Sequence, residues 1–160
     1  MAVNARSGRE IVCAFDLGVR NSACACFIVD SERGVGLVSL EKLDWSRDWE
    51  QRVAEAVRRH SPDVVVLEKQ MMGSSSAKFV YFIKGLLYGS DTRVVCRNPV
   101  MRGGRYRDRK RASVSLFLNR VAFLCREDAP VELLDALIKL DDVADSFNLG
   151  LNYIVKKMKN

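Results

Sequence analysis

The sequence predicts an α/β fold in which a mixed five-stranded sheet, three antiparallel strands then two parallel ones, is flanked by helices. Three observations lead there. Apolar, β-prone runs at residues 11–18, 23–29 and 35–43 follow one another across short turns containing Gly18 and Gly34, the pattern of an antiparallel meander. Val64-Val65-Val66-Leu67 is apolar without alternation, as expected of a strand covered on both faces, and it lies between two segments of helical character. With 160 residues, 48% of them hydrophobic, the chain suffices for one well-buried core and is too short for two ordinary domains. Residues 1–160 are therefore expected to form a single domain, with residues 1–9 flexible.

The first strand, Ile11-Val12-Cys13-Ala14-Phe15-Asp16-Leu17-Gly18, carries a single carboxylate near its end. A buried carboxylate without a partner is costly, so Asp16 needs one. A metal ion, a nucleotide phosphate reached through a metal and the Gly18 turn, and a structural salt bridge or turn cap all satisfy that need.

After the meander, Ser46 has the chemistry of an N-cap for a helix over 47–59, with Trp49, Val53, Ala56 and Val57 inward and Ser61-Pro62 as its stop. The buried strand over 63–69 then delivers Glu68 at its end and so repeats the pattern of the first strand. Residues 71–76, with Gly73 and three serines, read as a loop and cap before a helix over 77–88. A short strand over 92–96 and a loop over 98–104, with Pro99 and two glycines, lead to a helix from Asp108 or later to about Cys125. Ala112, Leu116, Val121 and Leu124 are expected on its inner side. Pro130 opens a short helix, and the last helix covers 141–157.

No run approaches ~18 consecutive apolar residues, and the first ten residues are polar, so a membrane span and a signal peptide are not expected. That implies an intracellular, reducing location. Cysteines 13, 24, 26, 96 and 125 form no C-x-x-C pair and read as small core residues rather than zinc ligands or disulfides. The net charge of +6 is unevenly spread. From Arg97 to Arg126 there are nine basic residues against one acid, Asp108, whereas from Glu127 to Asp145 there are seven acids against one Lys139. Such a basic block beside an acidic one suits a protein that holds a polyanion and acts on it with carboxylate-bound metal. Solvated helix faces are the plain alternative, above all for Glu127, Asp128, Glu132 and Asp135.

The last helix opens Lys139-Leu140-Asp141-Asp142-Val143-Ala144-Asp145-Ser146. Asp142 and Asp145, three residues apart, share a helix face with about 5 to 6 Å between their Cβ atoms, and Asp141 and Asp145 are equally well placed. Acids in a first turn also suit the helix dipole. If Asp16, Glu68, Asp142 and Asp145 converge, each pair at ~4 Å repels by about 4 kcal/mol at an effective dielectric near 20. A divalent cation would offset this, and all-oxygen donors select Mg²⁺ or Mn²⁺ over zinc.

The strand order, with acids at the first strand, the fourth strand and the last helix, resembles the ribonuclease H-like superfamily. Within it, Phe-Asp-Leu-Gly at 15–18, Leu-Glu-Lys-Gln at 67–70 and Asp-Asp-Val-Ala-Asp-Ser at 141–146 are similar to the RuvC-type Holliday junction resolvases, and the size and ending are most like the poxvirus resolvases. This resemblance implies a homodimer that makes paired symmetric nicks in four-way DNA junctions in the cytoplasm of an infected host cell, with two Mg²⁺ (or Mn²⁺) ions per active site. It implies Asp16, Glu68, Asp142 and Asp145 as catalytic and metal-binding residues; Asp141 has no firm counterpart in the bacterial pattern and is a further candidate to share in metal binding or to support the ligands. Some bacterial relatives use a histidine in the last pair; the single histidine here, His60, lies at the end of the first helix and reads as surface or packing.

Arg102, Arg105, Arg107, Arg109, Lys110 and Arg111, with Tyr106 among them, suit a DNA phosphate track. Six neutralised phosphates would give a salt slope of about −5. Met71 and Met72 stand where bacterial relatives carry an aromatic junction wedge, and core packing is the alternative. The helix over 77–88 is a candidate dimer face, with sheet packing as an equal alternative. Phe-Asp-Leu-Gly-Val-Arg-Asn-Ser also resembles the phosphate turn of actin-like and Hsp70-like ATPases, but the second copy those folds need is absent. A ribonuclease H acting on RNA–DNA hybrids and a catalytically silent branched-DNA-binding protein are the remaining rivals.

Overall fold

The computed structural model describes residues 8–124 and 140–160. The predicted short helix at Pro130, Cys125, Arg126 and the acids at 127, 128, 132 and 135 lie outside them, as do residues 1–7. Strands β1 (Arg9–Asp16), β2 (Ser22–Asp30) and β3 (Gly34–Leu43) are followed by α1 (Trp49–Arg58), β4 (Val64–Glu68), α2 (Ala77–Leu86), β5 (Arg93–Arg97), α3 (Tyr106–Leu124) and, after the undescribed stretch, α4 (Leu140–Met158). The sheet order is β3-β2-β1-β4-β5. β1 pairs antiparallel with β2 and parallel with β4, β2 pairs antiparallel with β3, and β4 pairs parallel with β5. This is the ribonuclease H-like mixed sheet that the sequence predicts.

Alternation along the strands divides the core between two faces. Val12, Ala14, Ala23, Ala25, Phe27, Val64 and Val66 pack with Phe117 and Val121 of α3 and with Phe147, Leu151 and Ile154 of α4. Cys13, Phe15, Cys24, Cys26, Val65 and Leu67 face Val53 and Val57 of α1, Phe79 and Ile83 of α2, and Trp45. In β3 the register slips between Cys26 and Phe27 of its partner, with Val38 as the extra residue. The alternation shifts there, so Leu37 and Leu40 both join the α4 side and Lys42 follows Leu40 onto it.

The helix boundaries differ in detail from the sequence reading. Asp48, not Ser46, precedes α1, and it holds a left-handed backbone at φ 46° with no side-chain cap bond. Ser46 instead donates its backbone N–H to Asp44 Oδ1 at 2.9 Å, which closes a turn before the helix begins. α3 starts two residues ahead of Asp108, one residue after Gly103 and Gly104, which both adopt positive φ near 70°. Its inner face is Ser113, Phe117 and Val121, while Ala112 is exposed. Packing decides this rotation: Phe117 fills the space against Phe147 with ring centroids 5.0 Å apart, which an alanine face cannot do. Cys13, Cys24 and Cys26 are buried free thiols, and Cys96 is a half-buried free thiol. A hydrogen bond with Cys13 and burial push the Cys26 thiol up.

Candidate active site

The same alternation places the two strand acids. Asp16 follows Val12 and Ala14 in β1, and Glu68 follows Val64 and Val66 in β4, so both project toward α4. Since β1 and β4 run parallel, both carboxylates arrive at the same end of the sheet. Gly18 closes the turn after β1: its N–H donates to Ser22 Oγ at 3.1 Å, and the Ser22 hydroxyl donates back to its carbonyl.

α4 lies across this end at close range. A Cβ on Gly150 would stand 2.5 Å from Phe27 Cε2 and 2.9 Å from Ala14 Cβ, so only glycine lets the helix approach the sheet this closely. Its first two turns present Asp142 and Asp145. Asp142 is buried, lies 3.6 Å from Lys42 Nζ, and has no hydrogen-bond partner on Oδ2 among the described residues.

Lys110 of α3 enters the centre of this group. Its ammonium donates to Asp145 Oδ2 and stands 3.9 Å from Asp141. The Ser113 hydroxyl, one turn further along α3, donates to Asp145 Oδ1 at 2.5 Å. Among the described residues no three acids form a ready-made cation cage. Their mutual influence is nonetheless strong. Burial, then the charges of Asp145, Glu68 and Asp142, hold the Asp16 carboxyl well above the usual carboxylate range, with Lys110 opposing. Burial and Asp145 push Glu68 up against Lys110, and burial, Asp141 and Asp145 push Asp142 up. Burial disfavours the Lys110 charge, but the hydrogen bond and charge of Asp145, with Asp16, raise its pKa in balance.

A cavity of about 410 Å³ opens beside the acids, lined among others by Glu68, Arg102, Tyr106, Arg109, Lys110 and Asp145. Arg102, Arg105, Arg107 and Arg111 are exposed around the start of α3, and Arg109 is half-buried. Lys110, the sixth member of the expected phosphate track, points instead into the carboxylates. Met71 and Met72, 83% and 98% exposed, stand out from the loop after β4 and are not core residues. On α2, Phe79 and Ile83 pack on the sheet while Tyr81 is exposed on the outer side, with Tyr88 exposed just beyond the helix end. His60 hydrogen-bonds Ser39 Oγ at 3.1 Å and Glu41 Oε1 at 3.0 Å, anchoring the end of α1 to β3.

The sequence reading missed Ser113, Asn148 and Lys42 and gave Lys110 another place. A signal existed: Lys110, Ser113, Phe117 and Val121 recur at helical spacing, and Asn148 is three residues beyond Asp145 on α4. It was hidden because a lysine and a serine do not read as an inner face.

The family profile of the poxvirus A22 proteins matches residues 10–157. The chain is 43% identical over 150 residues to a Holliday junction resolvase of Fowlpox virus, which spans 93% of this chain and 95% of the relative. A crystal structure of Fowlpox virus resolvase with substrate Holliday junction DNA is similar at a TM-score of 0.87 and 42% identity, over 92% of this chain and 99% of that one. The T. thermophilus RuvC chain bound to a Holliday junction substrate has a TM-score of 0.54 at 17% identity, over 92% of this chain and 96% of that one, a likeness of fold alone. With nearly its whole length matched, and with its acids gathered at one sheet end, the chain belongs to the family of poxvirus A22 proteins.

Proposed function

We propose that this chain is a divalent-metal-dependent endodeoxyribonuclease that resolves four-way DNA junctions and related branched DNA by paired symmetric nicks. The observation that carries the proposal is the gathering of Asp16, Glu68 and Asp145, with Asp142 one turn away, at one end of the sheet beside an arginine-rich helix start. The names of its relatives, which include Holliday junction resolvases and a resolvase bound to junction DNA, support the substrate.

The residues fit a hard cation. Their donors are all carboxylate oxygens, the Asp142 Oδ2 atom is without a hydrogen bond among the described residues, and at Asp16 and Glu68 the repulsion from neighbouring carboxylates exceeds the attraction of Lys110. Asp16, Glu68, Asp142 and Asp145 would hold Mg²⁺ or Mn²⁺, two ions per site, with Asp141 as a further donor. Such ions supply an activated water and a counter-charge for the leaving oxygen of a phosphodiester.

The protein's own groups do the rest. Arg102, Arg105, Arg107, Arg109 and Arg111 hold the DNA backbone, and Lys110 lies where it can move from Asp145 to the charge of a scissile phosphate. Met71 and Met72 stand free to enter an opened junction as apolar wedges. Paired nicks need two such sites, so the working unit is a homodimer of single-domain protomers, with the outer side of α2 as the joining surface. Among the described residues no helix is long and apolar enough to cross a membrane; the cytoplasm of an infected cell is the proposed location.

One gel tests this reading: a synthetic four-way junction, a matched duplex and an RNA–DNA hybrid, each with Mg²⁺, Mn²⁺ or EDTA. Symmetric metal-dependent nicks in the junction, lost in Asp16→Asn while junction binding persists, are expected. Preferred cleavage of the hybrid would replace the proposal by a ribonuclease H. Junction binding with no cleavage in any metal would leave an architectural protein.

A further inference from the structure

Asn148 is buried at 1% exposure on α4 and, among the described residues, hydrogen-bonds none of the acids described above. Its side-chain amide donates to the Ser113 backbone carbonyl at 2.9 Å and lies 3.2 Å from Ser113 Oγ. The first contact fixes the amide's orientation, because a carbonyl only accepts and the nitrogen must therefore face Ser113. The Ser113 hydroxyl then accepts from Asn148. Its single proton is directed to Asp145 Oδ1, 2.5 Å away.

We infer that Asn148 and Ser113 are positioning residues that lock the Asp145 carboxylate in one orientation, with Oδ1 bound to the protein and Oδ2 turned toward the site where positive charge is received. Lys110 already occupies that second oxygen. The arrangement joins α3 to α4 at the level of the site, and its order is one-way: amide to hydroxyl to carboxylate. Among the described residues, Ser113→Ala would leave Asp145 held by Lys110 alone and free to rotate its Oδ1 away. A threonine would keep the hydroxyl. This inference rests on the proposed metal-binding role of Asp145 and deepens it, since groups that orient a ligand tune its affinity for the ion.

The test is a Mn²⁺ titration of the full chain without DNA, followed by water-proton relaxation, alongside junction binding in EDTA. Ser113→Ala is expected to raise the Mn²⁺ concentration for half-saturation about tenfold, at the lower end of what loss of such a supporting group does. Ser113→Thr is expected to stay within about twofold of the wild type, and both are expected to bind junctions in EDTA as the wild type does. Should Ser113→Ala unfold, Ser113→Cys fills the space with a weaker donor and provides the same comparison. Wild-type Mn²⁺ affinity in Ser113→Ala or Ser113→Cys overturns the inference, as does equal loss in the alanine and threonine variants. No Mn²⁺ uptake by the wild type would instead overturn the metal reading itself, and this inference with it.

Discussion

Asp16→Asn separates what the site does from what it costs the fold. The Asp16 carboxylate is held among Asp145, Glu68 and Asp142, with Lys110 as the opposing charge, and no hydrogen bond to a described residue offsets the repulsion. At an effective dielectric near 20, two unit charges about 8 Å apart interact by about 2 kcal/mol. At that separation three repulsions against one attraction come to about 4 kcal/mol, which relaxation and proton uptake reduce to about 1 to 2 kcal/mol at neutral pH. Asparagine keeps the shape and removes the charge. For a chain of this size each kcal/mol moves the unfolding midpoint by about 2 to 4 °C, so Asp16→Asn is expected to melt about 2 to 8 °C higher than the wild type in EDTA.

The pH dependence has a definite sign. Asp16, Glu68 and Asp142 have raised folded-state pKa values, so the unfolded chain loses these protons first. Stability of the metal-free protein therefore falls as pH rises from the ordinary carboxylate range through the raised values, and Asp16→Asn flattens that fall. Thermal unfolding followed by circular dichroism at pH 5, 6 and 7.5, with EDTA or Mg²⁺, measures all of this. Mg²⁺ is expected to stabilise the wild type more than the variant. A lower midpoint for Asp16→Asn in EDTA would refute the reasoning, because Asp16 would then be held by a favourable structural partner.

Other perturbations reach the remaining parts of the molecule. With Lys110 turned into the site, the five arginines at 102, 105, 107, 109 and 111 are expected to give a salt slope of about −4 to −5 for junction binding, and Arg105→Ala with Arg107→Ala to reduce it by about 2; an unchanged slope in filter-binding titrations would remove these side chains from the interface. Met71→Ala is expected to slow junction nicking while Mn²⁺ uptake stays the same, and equal loss of both would end the wedge reading. Gly150→Ala drives a methyl into Phe27 and Ala14 and is expected to destabilise the fold by about 1 to 3 kcal/mol, read from denaturant midpoints, because neither neighbour can retreat within a packed sheet.

Much of the fold was legible because the signals are local. Strand β4 betrays its burial by the run Val64 to Leu67, β1 by its apolar stretch, and the turns by Gly18 and Gly34. Ser46 misled because an N-cap residue type is also a turn residue type, and here Asp44 accepts its N–H. α3 was the harder helix: a row of basic residues blurs its apolar face, so its rotation followed from Phe117 meeting Phe147.

By itself the sequence determined which acids end the strands and open the last helix, since period and residue type suffice to place Asp16, Glu68, Asp142 and Asp145 on their elements. It also determined the mixed sheet, because runs of fixed period separated by turns leave few ways to pair. Only the tertiary structure decided that Lys110 faces the acids while its arginine neighbours face outward, that Ser113 bonds Asp145 and is itself bonded by Asn148, and that Lys42 reaches Asp142. The physical reason is that each of these depends on how one element is rotated or shifted against another: α3 by the fit of Phe117, α4 by its close approach at Gly150, and β3 by the extra residue at Val38. Such rotations come from packing between residues far apart in the chain, where no local period records them.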